Sequence, residues 1–399
     1  MPFRLRVFII EWTKLINQNV PGPASDSAHI LNYERKDSTD NMGKKIRTGL
    51  ALFFACSILL TACSLNINTE EPLSEGEDTV CEITDYIPYG GEFGSMFLSE
   101  GDRVAVIAPS ALPSKKQVEE TLQGLKDWGY VPVEGKHVRD KTRSLEDCAE
   151  DLLWALDDPS LKAVFCVRGG YGASEVMDQI SLDRVLSAGK LIIGYSDITV
   201  FHSAWTRSGL PSVHASMSAA FNDLPDDCAE AEKKILRGEI PVYRCESDPL
   251  CRAGEAEGVL IGGNLSTFTA VLGTAYDCSQ TDRPYILFFE DVEEDLQHIH
   301  RYLAILEHLG VLDSAAGIIF GEWTDMPADP NDYEGDSRGG TFASVADMIS
   351  REFLDGSVMP VAFGFPAGHG AVNYPLLLGE RAVLKVSEDH FTLEMGTAF

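Results

Sequence analysis

Basic residues are scarce in this 399-residue chain: 32 lysines and arginines stand against 62 aspartates and glutamates, a net charge of −30. A chain that acidic repels phosphates, which excludes nucleic acid as a general partner. Cysteine is sparse too, with nine in all. That is too few for a disulfide-built fold. No Cys-x-x-Cys occurs and no Cys/His cluster has zinc spacing, so nothing points to a metal. Internal repeats and low-complexity tracts are absent. What remains is ordinary globular usage, 44% hydrophobic and 24% charged, on a length that suits two domains.

The scarcity of positive charge is not uniform. Residues 1–62 carry 8 basic and 5 acidic side chains, a net of +3, which leaves 24 and 57, a net of −33, for the rest. From Met42 the order is a basic patch (Lys44, Lys45, Arg47), an apolar run GLALFFACSILL (Gly49 to Leu60), then Leu60-Thr-Ala-Cys63. That order describes a secretory signal peptide, and the run is too short for a membrane span of ~20 residues. The Leu-Thr-Ala-Cys ending resembles a bacterial lipobox, whose cysteine is lipidated and becomes the mature N-terminus. The expectation is therefore an upstream extension over 1–41, a lipoprotein signal over 42–62, a lipid on Cys63 and an extracytoplasmic, membrane-anchored protein. An uncleaved anchor, a cut elsewhere, or a helix of its own over Val7–Ile16 are the alternatives. Residues 63–97 are polar and acidic at their start and read as a tether with a reach of roughly 30 Å. Of the other seven cysteines, an odd number, Cys166 sits in an apolar run; Cys245 and Cys251 are close enough in sequence to bridge a short loop.

Short apolar runs then alternate with helix signals. RVAVIA (Arg103–Ala108), Tyr130–Val133, KAVFCV (Lys162–Val167) and LIIGY (Leu191–Tyr195) read as buried strands. Ser114 with Gln117 forms a capping box and Ser144 caps a second helix. The alternation predicts βαβ units, a mainly parallel sheet and ligand sites at the strands' carboxyl ends. The acidic stretch 222–256, with Pro225, Pro241 and Pro249, marks a boundary. The expected division is an N-terminal α/β domain over 98–235, a linker over 236–256 and a smaller β/α domain over 257–399.

Five segments carry candidate chemistry. Ser196 stands where a buried strand passes sharply into a helix, in GYSDIT; it is either a helix cap or a nucleophile on an elbow. The turn Arg168-Gly-Gly-Tyr-Gly172 lets backbone approach a ligand and present an N–H to an oxyanion. A phosphate loop is the weaker reading, because no Gly-Lys-Ser/Thr follows. Glu290 ends the strand YILFFE, directly before an acidic run. His369 lies in a loop, FPAGHG, after a strand. His298 and His300, two apart on one helix, face different ways and do not make a metal pair.

Taken in order, RGGYG, GYSDIT, GGNLS (Gly262–Ser266), FFEDV and FGFPAGH resemble the LD-carboxypeptidase family of serine peptidases, over roughly residues 98–399. The resemblance implies a flavodoxin-like N-terminal domain with a smaller β/α C-terminal domain. It makes Ser196 the nucleophile and Glu290 and His369 the other two members of a Ser-His-Glu triad. It places the oxyanion hole at the N–H groups of Asp197 and Gly170, and needs no metal or cofactor. It also implies release of terminal D-Ala from murein tetrapeptides, with peptidoglycan stem peptides as partners; members often form homodimers. Arg168 and Tyr171, beside the glycine turn, are candidates for substrate binding, with a structural salt bridge the alternative for Arg168. The microcin-immunity branch, which cleaves peptidyl-nucleotides, is the other enzymatic reading, with Trp323 a candidate to stack a base; a ligand-binding lipoprotein without catalysis is the third. Two departures from the family pattern stand out. Glu293 replaces the glycine of Glu-Asp-Val-Gly-Glu, and His214-Ala-Ser-Met217 lacks an expected Gly-Pro.

Overall fold

The computed structural model describes residues 80–217, 224–327 and 342–398. The signal segment, Cys63 and the first part of the tether lie outside the described residues. The strands are β1 (Cys81–Pro88), β2 (Arg103–Ile107), β3 (Val131–Glu134), β4 (Ala163–Cys166), β5 (Leu191–Gly194), β6 (Ser212–His214), β7 (Glu239–Glu246), β8 (Gly254–Asn264), β9 (Tyr285–Val292), β10 (Gly317–Thr324), β11 (Val361–Phe363), β12 (Leu376–Leu378), β13 (Arg381–Val386) and β14 (His390–Met395). The helices are α1 (Lys115–Asp127), α2 (Leu145–Asp157), α3 (Ala173–Met177), α4 (Leu182–Ala188), α5 (Thr199–Arg207), α6 (Asp226–Ile235), α7 (Leu265–Val271), α8 (Leu296–His308) and α9 (Val345–Glu352).

The first sheet runs β12-β6-β5-β4-β2-β3. Its strands from β3 to β6 are parallel, in the doubly wound order of a flavodoxin-like domain. Both faces are covered, so β4, β5 and β2 after its exposed Arg103 are buried apolar runs. The helices begin where their caps say they should. Ser114 and Ser144 both close complete capping boxes, with Gln117 and Asp147.

The second sheet runs β1-β7-β14-β13-β8-β9-β10-β11, parallel from β8 to β11 and antiparallel elsewhere. Its parallel part is buried on both faces, and the two-residue period separates two cores. Leu260, Ile286, Phe288 and Ile319 join the cluster that also fills the first sheet. Val259, Ile261, Leu287, Phe289, Ile318 and Phe320 face a separate cluster with α8 and α9. Glu290 continues the Ile286, Phe288 row, so the pleat carries it toward the side that holds the nucleophile.

Three boundaries differ from the sequence expectation. The tether expected over 63–97 ends earlier: Cys81–Pro88 is a strand paired antiparallel with β7, and Met96, Phe97 and Leu98 are buried. The linker expected over 236–256 holds β7 and the start of β8 instead. The bridge is Cys81–Cys245, opposite residues of the β1–β7 pair, not Cys245–Cys251; Cys251 is unbridged and its Sγ lies 3.3 Å from the Phe363 N–H that donates to it. The regions also interleave, since β12 adds an antiparallel edge to the first sheet against β6.

Candidate active site

Ser196 follows β5 and opens a 3-10 turn that leads into α5. Its φ is 65°, a left-handed conformation that costs an L-residue roughly 1–2 kcal/mol. Strain at such a position is the signature of an elbow that lifts the hydroxyl clear of the sheet. The Ser196 hydroxyl accepts no capping bond from the 3-10 turn or from α5, whose N-cap is Ile198, so the capping reading fails. The neighbouring Asp197 is buried, and its carboxylate accepts from the Ala173 N–H at 3.0 Å, tying the start of α3 to the elbow.

The glycine turn after β4 packs directly on this serine. A methyl group at Gly169 would lie 2.9 Å from Ser196 Cβ and 3.0 Å from its Oγ, so only glycine permits the approach. Within the turn expected to approach a ligand, it is Gly169 that packs on the serine, while the resemblance assigns the oxyanion N–H to Gly170. Gly170 has a φ of 116° and its open side faces Ala111. Arg168 is exposed; it makes no ion pair with another described residue, and its Nη1 donates to the Leu112 carbonyl at 3.4 Å. Tyr171 is 79% exposed, and its hydroxyl donates to Glu175 at 2.9 Å.

His369 Nδ1 lies 2.8 Å from Glu290 Oε2. Glu290 is fully buried, and His369 is 16% exposed at its side chain. The approach depends on Gly368, at φ 142°, where a methyl group would stand 2.9 Å from Glu290 Oε2. Burial alone would push the Glu290 carboxyl up, but the bond to His369 and the nearby His214 imidazole outweigh it and hold it below the ordinary carboxylate value. Burial likewise pushes His369 down, and the negative Glu290, with smaller help from Asp291 and Asp325, reverses this and leaves it above the usual imidazole value. The opposed shifts favour an ionic pair. His214 is also buried, with Nε2 3.9 Å from Glu290 Oε1, too far for a hydrogen bond. The sequence showed His214 only as a departure from a pattern, not as a neighbour of the acid.

The Tyr195 and His369 rings are 4.7 Å apart between centroids, which brings His369 beside the elbow. Among the described residues no hydrogen bond joins Ser196 Oγ to His369. The Gly-Gly-Asn motif supports the acid from the other side: Asn264 Nδ2 donates to Asp291 Oδ1 at 2.7 Å, the Ser266 N–H to Asp291 Oδ2 at 2.8 Å, and the Asn264 N–H to Thr199 Oγ1 in α5 at 3.0 Å. Glu293, in place of a glycine, has a φ of 56°, so the chain keeps there the backbone that glycine favours. Trp323 is half-buried against Phe320 at 6.2 Å. One group of metal-capable side chains occurs among the described residues, His137, Asp147 and Glu150. Its two imidazole nitrogens each face a different carboxylate, at 3.6 and 3.2 Å, and the cluster lies at the surface end of α2, where Asp147 also closes the Ser144 cap.

Comparison with known proteins matches this arrangement to one family. The model of the LD-carboxypeptidase N-terminal domain matches residues 104–215 and that of the LD-carboxypeptidase C-terminal domain residues 257–384. A putative carboxypeptidase of Streptomyces coelicolor is 33% identical over 304 residues, covering 72% of this chain and 96% of that protein. The murein tetrapeptide carboxypeptidase of Pseudomonas aeruginosa is 31% identical over 298 residues, 71% of this chain and 93% of that protein. The microcin C7 self-immunity protein of Escherichia coli is 22% identical over 335 residues, 74% of this chain and 94% of that protein. Its structure with aspartyl sulfamoyl adenosine has the same fold, with a TM-score of 0.64 at 21% identity over 78% of this chain and 100% of that chain. This chain belongs to the LD-carboxypeptidase family of serine peptidases.

Proposed function

We propose that this protein releases the terminal D-Ala from murein tetrapeptides through an acyl-enzyme on Ser196, from a lipid anchor on the outer side of a membrane. Ser196 Oγ attacks the carbonyl carbon of the L-configured centre, and its proton passes to His369 Nε2. Glu290, accepting at Nδ1, fixes that tautomer and stabilises the imidazolium. The negative oxygen of the tetrahedral intermediate is held by N–H groups of Asp197 and Gly170, worth ~2.7–4 kcal/mol per donor. The C–N bond breaks as His369 returns the proton to the amine of D-Ala. Water, deprotonated by His369, then attacks the ester and frees Ser196. Substrate binding draws Ser196 and His369 into hydrogen-bond reach, as is common when a catalytic site is completed by its ligand.

The observation that carries this reading is the buried Glu290 bonded to His369 at 2.8 Å, beside a serine held at a left-handed φ. Arg168, with its guanidinium free of ion pairs among the described residues, is positioned to take the free carboxylate of D-Ala in a bidentate grip. The murein reading is preferred to the peptidyl-nucleotide one because the murein relative is 31% identical and the microcin-immunity protein 22%. The anchor rests on the basic patch, the apolar run and the Leu-Thr-Ala-Cys63 ending. The Cys81–Cys245 bridge fits an oxidising compartment outside the cytoplasm.

The test is a direct competition. Purified full-length protein is offered a murein tetrapeptide and an aspartyl-nucleotide at equal concentration, and free D-Ala and free aspartate are measured. Faster D-Ala release supports the reading. Aspartate release without D-Ala would assign the chain to peptidyl-nucleotide hydrolysis instead.

A further inference from the structure

The histidine loop is tied to a helix in another part of the chain by a line of buried polar groups that the triad does not use. The Gly368 N–H, one residue before His369, donates to Asn373 Oδ1 at 3.0 Å. Asn373 Nδ2 donates to Ser216 Oγ at 3.1 Å. The Ser216 N–H donates to Glu232 Oε1 at 2.7 Å. Ser216 and Glu232 are each 1% exposed and Asn373 is 3% exposed, so water does not compete for any of these bonds. Two further bonds run alongside: Cys228 Sγ donates to the Asn373 carbonyl at 3.0 Å, and the Tyr374 hydroxyl donates to Asp227. Glu232, Cys228 and Asp227 all belong to α6.

A buried carboxyl with no cation beside it is costly unless something is gained from it. Among the described residues no lysine, arginine or histidine forms an ion pair with Glu232, whose Oε1 accepts from the Ser216 N–H. Burial pushes the Glu232 carboxyl up to about 8 against the pull of its bonds to Ser216, so it is neutral at neutral pH. A neutral carboxyl, a serine and an asparagine, all bonded, form a rigid unit with directional ends. Its far end is the backbone of Gly368, which already stands within contact distance of Glu290.

We propose that Glu232, Ser216 and Asn373 act as positioning residues for the proposed general base, setting the loop that carries His369 at the depth where Nδ1 meets Glu290. The Ser216 N–H is needed for this, so a proline at 216 would cut the line. The inference rests on the reading of Ser196, His369 and Glu290 as a triad.

The experiment uses the full chain and two readouts that need no knowledge of the substrate. One is the NMR titration of the His369 imidazole, which faces Glu290, Asp291, Asp325 and the Tyr195 ring. The other is the rate at which a fluorophosphonate labels Ser196. In Ser216→Ala, which keeps the N–H but loses the hydroxyl, the His369 midpoint moves down as its hold on Glu290 loosens. Labelling slows about tenfold or more, as expected for displacement of a catalytic group. Ser216→Thr restores the hydroxyl and recovers most of both. If Ser216→Ala does not fold, Asn373→Ala removes both the acceptor for Gly368 and the donor to Ser216 without adding a charge, and the same losses are expected. An unchanged His369 midpoint and labelling rate in the variants, with only the melting temperature lowered, overturns the proposal. If the wild type is not labelled at Ser196 at all, the triad reading fails, and the His369 titration alone still decides the relay.

Discussion

Ser196 and Glu293 are both non-glycine residues held at left-handed φ values, 65° and 56°, but for opposite reasons. At Ser196 the strain presents a hydroxyl, and in the proposed mechanism it cannot be relieved without losing the nucleophile. At the exposed Glu293 the side chain contributes nothing to the turn that glycine would not. Glu293→Gly should therefore raise stability by up to about 1 kcal/mol, the left-handed cost removed less the extra chain entropy of glycine. Thermal denaturation checks this, and a lowered melting temperature would show that the glutamate side chain is itself holding the loop. Glu290 acts through charge. Because it holds His369 above the usual imidazole value, and the base must be neutral to accept a proton, activity should rise with pH through a midpoint above about 6.5. In Glu290→Gln the charge is gone and burial dominates, so the midpoint should fall below about 6.5. The plateau rate should drop ~10²- to 10⁴-fold as the tautomer is lost. A pH profile of kcat/KM on both proteins reads the two effects separately, and an unmoved midpoint would mean that another group sets it.

At the scale of elements, the parts of the sheet buried on both faces were legible in the sequence. β4 and β5 are apolar runs and β2 is one after Arg103, and α1 and α2 carry capping boxes that name their first residue. Position alone marked Ser196, Glu290 and His369 only as residues at the carboxyl ends of strands; it was the resemblance that grouped them as a candidate triad, and the structure sets His369 Nδ1 2.8 Å from Glu290. The edge was not legible. β1 reads CEITDYIP, with most positions half-buried or exposed, and its partner β7 lies 164 residues away at the bridged cysteines; only tertiary pairing makes it a strand. α6 was hidden for a related reason. Its acidic start and lysine end suit the helix dipole, but with Pro225 before it and no side-chain cap it reads as part of the acidic stretch that marks a boundary. Its buried Glu232 looked like one acid among many. The Cys81–Cys245 bridge joins the edge strand β1 to β7, which is four strand spacings from β9, roughly 19 Å across the sheet. The double variant Cys81→Ser/Cys245→Ser should lose ~2–5 kcal/mol of stability and keep kcat/KM within about twofold, since additivity holds for distant sites. Chemical denaturation and a rate assay decide this; a large loss of rate would mean that the edge reaches the site.

The proposed function sets a strongly negative body, net −33 beyond residue 62, to work on a substrate that ends in a carboxylate. Long-range attraction does not help such an encounter, so the proposal relies on local groups such as Arg168 and on the proximity that the proposed anchor would confer. Mass spectrometry of membrane-extracted protein should accordingly find Cys63 lipidated and at the N-terminus; an unmodified Cys63 behind an intact leader would remove the anchor from the account. The catalytic claim is tested most directly by D-Ala release from a murein tetrapeptide by Ser196→Ala beside the wild type. With Ser196 as the nucleophile, the variant should release D-Ala at least about 10³-fold more slowly, with an unchanged circular dichroism spectrum and melting temperature. A folded Ser196→Ala protein that retains a tenth or more of the wild-type rate would contradict the assignment.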